Sequence, residues 1–141
     1  MATLTQDTAR TYESVPDPGF DHFPSRASDI TYAGAAVTVD SSGDAGPLVT
    51  TDTFAGFAVA KCDNSAGSAG DKDVRVRSKG GIKLPVTGVS DKTNYGSTVY
   101  ASDDDTFTLT ASGALAIGKV GRYITGSTVI VNFEAAAVRS L

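Results

Sequence analysis

The 141-residue sequence has no tryptophan, one methionine, one cysteine and one histidine, and only two of its sixteen acidic residues are glutamate. Each shortage removes a class of chemistry. A zinc site needs three or four His, Cys or carboxylate ligands, and the only soft candidates are His22 and Cys62. Nucleophilic catalysis of the Ser-His-Asp or Cys-His kind would have to run through His22, which sits in a proline-bearing stretch. No catalytic residue, metal or cofactor is therefore expected, and the chain reads as something other than an enzyme. One cysteine rules out an internal disulfide and suits synthesis in a reducing cytosol. No run reaches the ~18 apolar residues of a membrane span, and the first residues lack an apolar core behind a basic head, so no membrane segment or signal peptide is expected. Twelve basic residues against sixteen acidic ones give a net charge of −4, without the clustered Lys and Arg that a nucleic-acid surface needs.

What is abundant is equally one-sided. Fourteen acids are Asp, and there are 17 Thr, 14 Val and 15 Gly. Asp favours turns and caps, Glu favours helix interiors, and Thr and Val favour strands. The expected product is an all-β domain with many turns, long enough to bury roughly 70% of its unfolded surface without a staple.

Residues 1–29 differ from the rest. They hold Pro16, Pro18 and Pro24, five acids against two basic residues, and no hydrophobic period of 2 or 3.6. Proline removes a backbone donor and biases its predecessor to extended geometry, so neither a helix nor a central strand is expected. The segment reads as an extended N-terminal arm ahead of a β domain at 30–141. Its apolar residues Tyr12, Val15, Phe20 and Phe23 leave two readings open: a disordered or locally packed tail, or an arm that lies along another subunit or partner and orders in an assembly. On the second, removing residues 1–24 is expected to leave a folded core.

From residue 30 strand signals follow one another. Ala36 to Val39, Leu48 to Thr50 and the apolar run Phe54 to Ala60 come first, with a turn cluster at 40–47 and a glycine-rich loop at 63–70 that is expected to be exposed. Asp73 to Ser78 alternates strictly, Gly80-Gly81 has the chemistry of a tight turn, and Ile82 to Val86 alternates again. This predicts a hairpin with a basic outer face of Arg75, Arg77, Lys79 and Lys83, either an ordinary polar surface or a dock for an acidic protein. Pro85 places the second strand at an edge or ends its pairing. Strands are also expected at 97–101, 106–110, 115–117 and 128–133, with turns at 102–105 and 118–125 and a short helical turn at 134–138. This spacing belongs to a β-sandwich or barrel.

Other motifs carry less. Asp103-Asp104-Asp105 reads as a solvated hairpin tip, because a calcium loop needs six or more oxygens from spaced positions. Asp63, Asp71 and Asp73 surround a glycine-rich loop that could bind a cation, with an ordinary solvated loop the favoured reading, and Gly67 to Lys72 lacks the spacing of a phosphate loop. Cys62 is expected as a partly buried thiol without a partner.

The order of segments resembles the capsid cement, or decoration, proteins of tailed bacteriophages. The residues that carry it are Phe57-Ala-Val-Ala60, Val74-Arg-Val76, Gly81-Ile-Lys-Leu-Pro-Val86, Gly96-Ser-Thr-Val-Tyr100, Phe107-Thr-Leu-Thr110, Ile117-Gly-Lys-Val120 and Val129-Ile-Val-Asn-Phe133. The specificity lies in their order, which covers a little more than half of the chain; the arm departs from the pattern. The resemblance implies a jelly-roll-like β-sandwich without enzymatic activity, a homodimer or homotrimer on the outer surface of a virion, made in the host cytoplasm. Its partner there is the major capsid protein, with no nucleic acid or membrane involved. A carbohydrate-binding β-module for host-surface adhesion is the alternative, with Tyr32, Tyr95, Tyr100 and Tyr123 as stacking residues.

Overall fold

The computed structural model describes residues 3–13 and 20–137. Among these residues thirteen strands run in chain order: β1 (Thr11–Glu13), β2 (Phe20–Pro24), β3 (Ile30–Thr31), β4 (Ala36–Val39), β5 (Ala45–Pro47), β6 (Thr53–Ala58), β7 (Cys62–Asp63), β8 (Asp73–Arg77), β9 (Lys79–Pro85), β10 (Thr98–Asp103), β11 (Thr106–Thr108), β12 (Leu115–Thr125) and β13 (Thr128–Glu134). Among the described residues there is no α-helix, only a 3-10 turn at Lys92–Asn94. A six-stranded antiparallel sheet has the order β1-β9-β13-β12-β10-β11, a five-stranded one the order β2-β8-β6-β4-β5, and β3 pairs with β7 in a small third sheet. The two large sheets make a β-sandwich: the composition predicts the all-β class, and the strand spacing a sandwich or barrel.

The main core lies between them. Phe54 and Phe57 of β6 meet Phe107 and Phe133 from the larger sheet, with the Phe57 and Phe133 rings edge-to-face at 4.9 Å. Ile82, Leu84, Val99, Ile117, Val129 and Val131 fill in around them, all fully buried. A second apolar cluster takes the other face of the smaller sheet: Val37, Ala55, Ala58, Cys62, Val74 and Val76. The smaller sheet is therefore apolar on both faces, which is why Phe54 to Ala58 shows no alternation. At Gly56 the chain bulges with φ +129, and a Cβ there would run into the Arg77 carbonyl oxygen. Only glycine lets β6 and β8 approach this closely.

Several expectations change in the structure. The predicted hairpin at 73–86 does not form. β8 belongs to the smaller sheet and β9 to the larger one, and the chain crosses between sheets at the buried Ser78. Gly80 and Gly81 lie inside β9 opposite Phe133 and Asn132. Gly80 takes φ +148, a conformation that side-chain-bearing residues rarely adopt, and packs beside the Phe133 ring. Pro85 does end β9.

The turn predicted at 118–125 is the body of the 11-residue β12. Gly118 and Gly121 read as breakers, but they are where β13 comes close: a Cβ at 118 would strike the Asn132 carbonyl, and one at 121 the Asn132 amide. The strand predicted at 48–50 sits earlier, at β5, where Pro47 is tolerated because β5 is an edge. The loop at 63–70 is not wholly exposed either, since it wraps the buried Asn64, whose amide donates to the carbonyls of Arg26 and Ser68, both at 2.9 Å. The helical turn expected at 134–138 does not form where it is described: Glu134 ends β13 and 136–137 make a non-helical turn, while Val138 lies outside the described residues.

The N-terminal segment is extended, and where it is described it pairs with its own chain. β1 lies on β9, with Tyr12 opposite Ile82, and β2 lies on β8, with Phe20 opposite Arg77. It thus supplies one edge strand to each large sheet. An edge suits a proline-bearing segment, because one side of the strand needs no donors.

Candidate partner-binding surface

The residues expected to bind a partner divide into three groups. Tyr12, Phe20 and Arg77 come together at the rim of the sandwich. Residues directly opposite in an antiparallel pair share a face. Phe57 is opposite Arg77, so Arg77 lies on the face of β8 that carries the main core, at its margin. There the guanidinium sits over the Tyr12 ring at 4.8 Å and the Phe20 ring at 5.3 Å. Tyr12 packs against the core, and burial raises the pKa of its phenol against the opposing pull of Arg77 and Arg10. Phe20 remains 59% exposed. Arg75 is exposed on the same strand, opposite His22.

Phe23 goes elsewhere. It is opposite Val74 and packs on the second cluster. Lys79 and Lys83 stand on β9 in the other sheet, opposite Glu134 and Ile130, so the four basic residues do not form a single hairpin face. Val15 lies outside the described residues.

Sequence reasoning missed what closes this rim. A hollow of about 380 Å³ is lined by Thr8, Arg10, Tyr12, Phe20, Gly34 and Arg77, among others. Residues 3–10 are fastened beside it: the Thr8 amide donates to the Ala33 carbonyl at 2.8 Å, the Ala33 amide to Asp7 Oδ1 at 3.1 Å, and Arg10 Nε to the Gly34 carbonyl at 2.9 Å.

The aspartate run completes the fastening, and it is not the solvated tip its sequence suggests. Asp103 is 4% exposed and Asp104 1%. Asp104 Oδ1 accepts from the Leu4 amide at 3.2 Å, and Arg10 forms an ion pair with Asp105. Burial, together with the neighbouring Asp103 and Asp105, pushes the Asp104 carboxyl up to about 6 despite the Leu4 bond. No local pattern announces this, because Leu4 and Arg10 are about a hundred residues away. Among the described residues no group of three His, Cys, Asp or Glu is placed to hold a metal ion. Cys62 is a buried free thiol whose pKa is raised by burial.

Comparison of the chain with protein families, with curated proteins and with solved structures finds no match.

Proposed function

We propose that this chain is a structural protein of a tailed-bacteriophage virion that binds the outside of the capsid and cements neighbouring major capsid proteins. The observation that carries the reading is the ordered series of segments from Phe57 to Phe133, each of which overlaps a strand from β6 to β13. The finer architecture proposed is a jelly-roll-like sandwich. Chain crossings between the sheets, such as β8 to β9, support it.

The exposed rim supports a contact function. β2 is the outermost strand of its sheet, so one side of its backbone is open to pairing, with Phe20 exposed beside Arg75 and Arg77. Such an edge takes an added strand from a partner through main-chain hydrogen bonds, and an exposed aromatic beside arginine is the composition of an interface centre. The partner strand belongs to the major capsid protein, and a second or third copy of this chain meets it in a homodimer or homotrimer. Cementing is mass action: a ligand that binds the assembled shell and not its dissociated parts stabilises the assembly by its binding free energy, repeated over many sites.

The test is co-sedimentation with purified heads that lack the protein. The full chain is expected to pellet with the heads and raise their resistance to heat, and Phe20→Ser is expected to lower head affinity about tenfold while the variant stays folded. Failure of the full chain to pellet with the heads overturns the proposal.

A further inference from the structure

The outer face of the larger sheet carries a feature separate from the β2 rim. Tyr95 is 74% exposed, the highest value among the large apolar side chains of the described residues. It follows directly on the 3-10 turn, and that turn is firmly built: Asp91 Oδ1 accepts from the Thr93 amide at 2.9 Å, and Asn94 Oδ1 accepts from the Ser90 amide at 3.0 Å. The next residues are tied to β12, the Gly96 amide donating to the Val120 carbonyl and the Val120 amide to the Ser97 carbonyl, both at 2.9 Å. A phenol ring in water is thus held on an anchored loop.

Beside it lies an open cleft of about 460 Å³, within the ~300–1,000 Å³ of small-molecule sites. Gly96 and Gly118 leave part of its lining without side chains, and Lys119, Asn132 and Glu134 supply polar groups. Asn132 is directly opposite Lys119 in the β12–β13 pair. Its amide occupies the space a side chain at Gly121 would need: a Cβ there would be 2.6 Å from Nδ2 and 2.9 Å from Cγ. The amide therefore rests against the β12 backbone.

We infer that this cleft binds a neutral sugar, one pyranose face stacking on Tyr95 and its hydroxyls bonding to Asn132, Lys119 and Glu134. A pyranose presents an apolar C–H face and hydroxyls that both donate and accept. The cleft offers an exposed ring that is apolar on its face, an amide that donates and accepts, a donor-only ammonium and an acceptor carboxylate. One cation and one carboxylate at the same cleft favour an uncharged ligand over a phosphate or a nucleotide, which would meet Glu134 as a like charge.

The experiment is an array of neutral oligosaccharides probed with the full chain, followed by titration of the best hit. Tyr95→Ala and Asn132→Ala are each expected to weaken binding about tenfold. Tyr95→Phe, which keeps the ring, is expected to stay within about threefold. Thermal unfolding of each variant checks that the fold is retained. An array without hits overturns the inference, as does a hit that survives both alanine variants. Head co-sedimentation of Tyr95→Ala is expected to match the wild type; a variant that loses heads and shows no sugar dependence assigns the cleft to the shell and overturns the inference, leaving the capsid reading intact.

Discussion

Asp104 has 1% of its surface exposed and one carboxylate oxygen, Oδ2, without a hydrogen-bond partner among the described residues. It faces Asp103 and Asp105 in its own turn, the Leu4 amide, and Arg10 through Asp105. Its pKa is raised to about 6 from 3.8, so the folded state holds this proton more tightly than the unfolded chain does. The associated stability is fully present below the unfolded value and is lost as pH rises through about 6. Asp104→Asn keeps an acceptor for Leu4 and cannot ionise. It is expected to unfold at a higher temperature than the wild type at pH 8, by of order 2 kcal/mol, with the gap closing toward pH 4. Two melting profiles that stay parallel across that range sink this account. The run was misread because a string of aspartates looks the same whether water or a distant segment covers it.

At the scale of the element, alternation made the strands legible and left their partners hidden. Asp73 to Arg77 and Thr128 to Glu134 are where period-two patterning places them. Gly80-Gly81 misled because a positive φ serves more than hairpin turns: Gly80 holds φ +148 inside β9, where the chain has just crossed between the sheets. Gly56 shows what replacing such a glycine costs. Gly56→Ala must hold φ near +129 and displace the Arg77 carbonyl, so a loss of at least about 2 kcal/mol is expected in denaturant unfolding. A change below about 0.5 kcal/mol would mean that β6 and β8 can separate freely. Arg77 binds the two edge strands together through its stacking on Tyr12 and Phe20. Arg77→Lys keeps the charge and loses the planar group, at an expected cost of about 1 kcal/mol by the same measurement.

For the whole molecule, the composition identified the all-β class, since few Glu and many Val, Thr, Asp and Gly favour strands and turns, and the strand spacing narrowed it to a sandwich or barrel. The division into arm and body was harder to see, because an extended segment has the same local signature beside its own chain or a neighbour's. Deleting residues 1–24 removes β1 and β2, the outer strand of each large sheet, and uncovers Asp104 and Arg77. In place of an undisturbed core, the truncated chain is expected to melt roughly 10 °C lower or more. Phe57→Ala, at the meeting point of four rings, is expected to cost about 3–5 kcal/mol. An unshifted melting curve for the deletion would return residues 1–24 to the status of an appendage.

The position of β13 also governs how the chain can be made. This strand stands third in the larger sheet, between β9 and β12, yet it comes last in chain order. While a ribosome adds ~5–20 residues per second, β9 emerges with Ile82 and Leu84 ready to be covered and waits some fifty residues for the strand that lies beside it. β10, β11 and β12 can pair with one another first, but β9 joins them only through β13. A nascent chain stopped before Thr128 leaves the facing edges of β9 and β12 unpaired, an exposed template for pairing with another chain until β13 fills the gap.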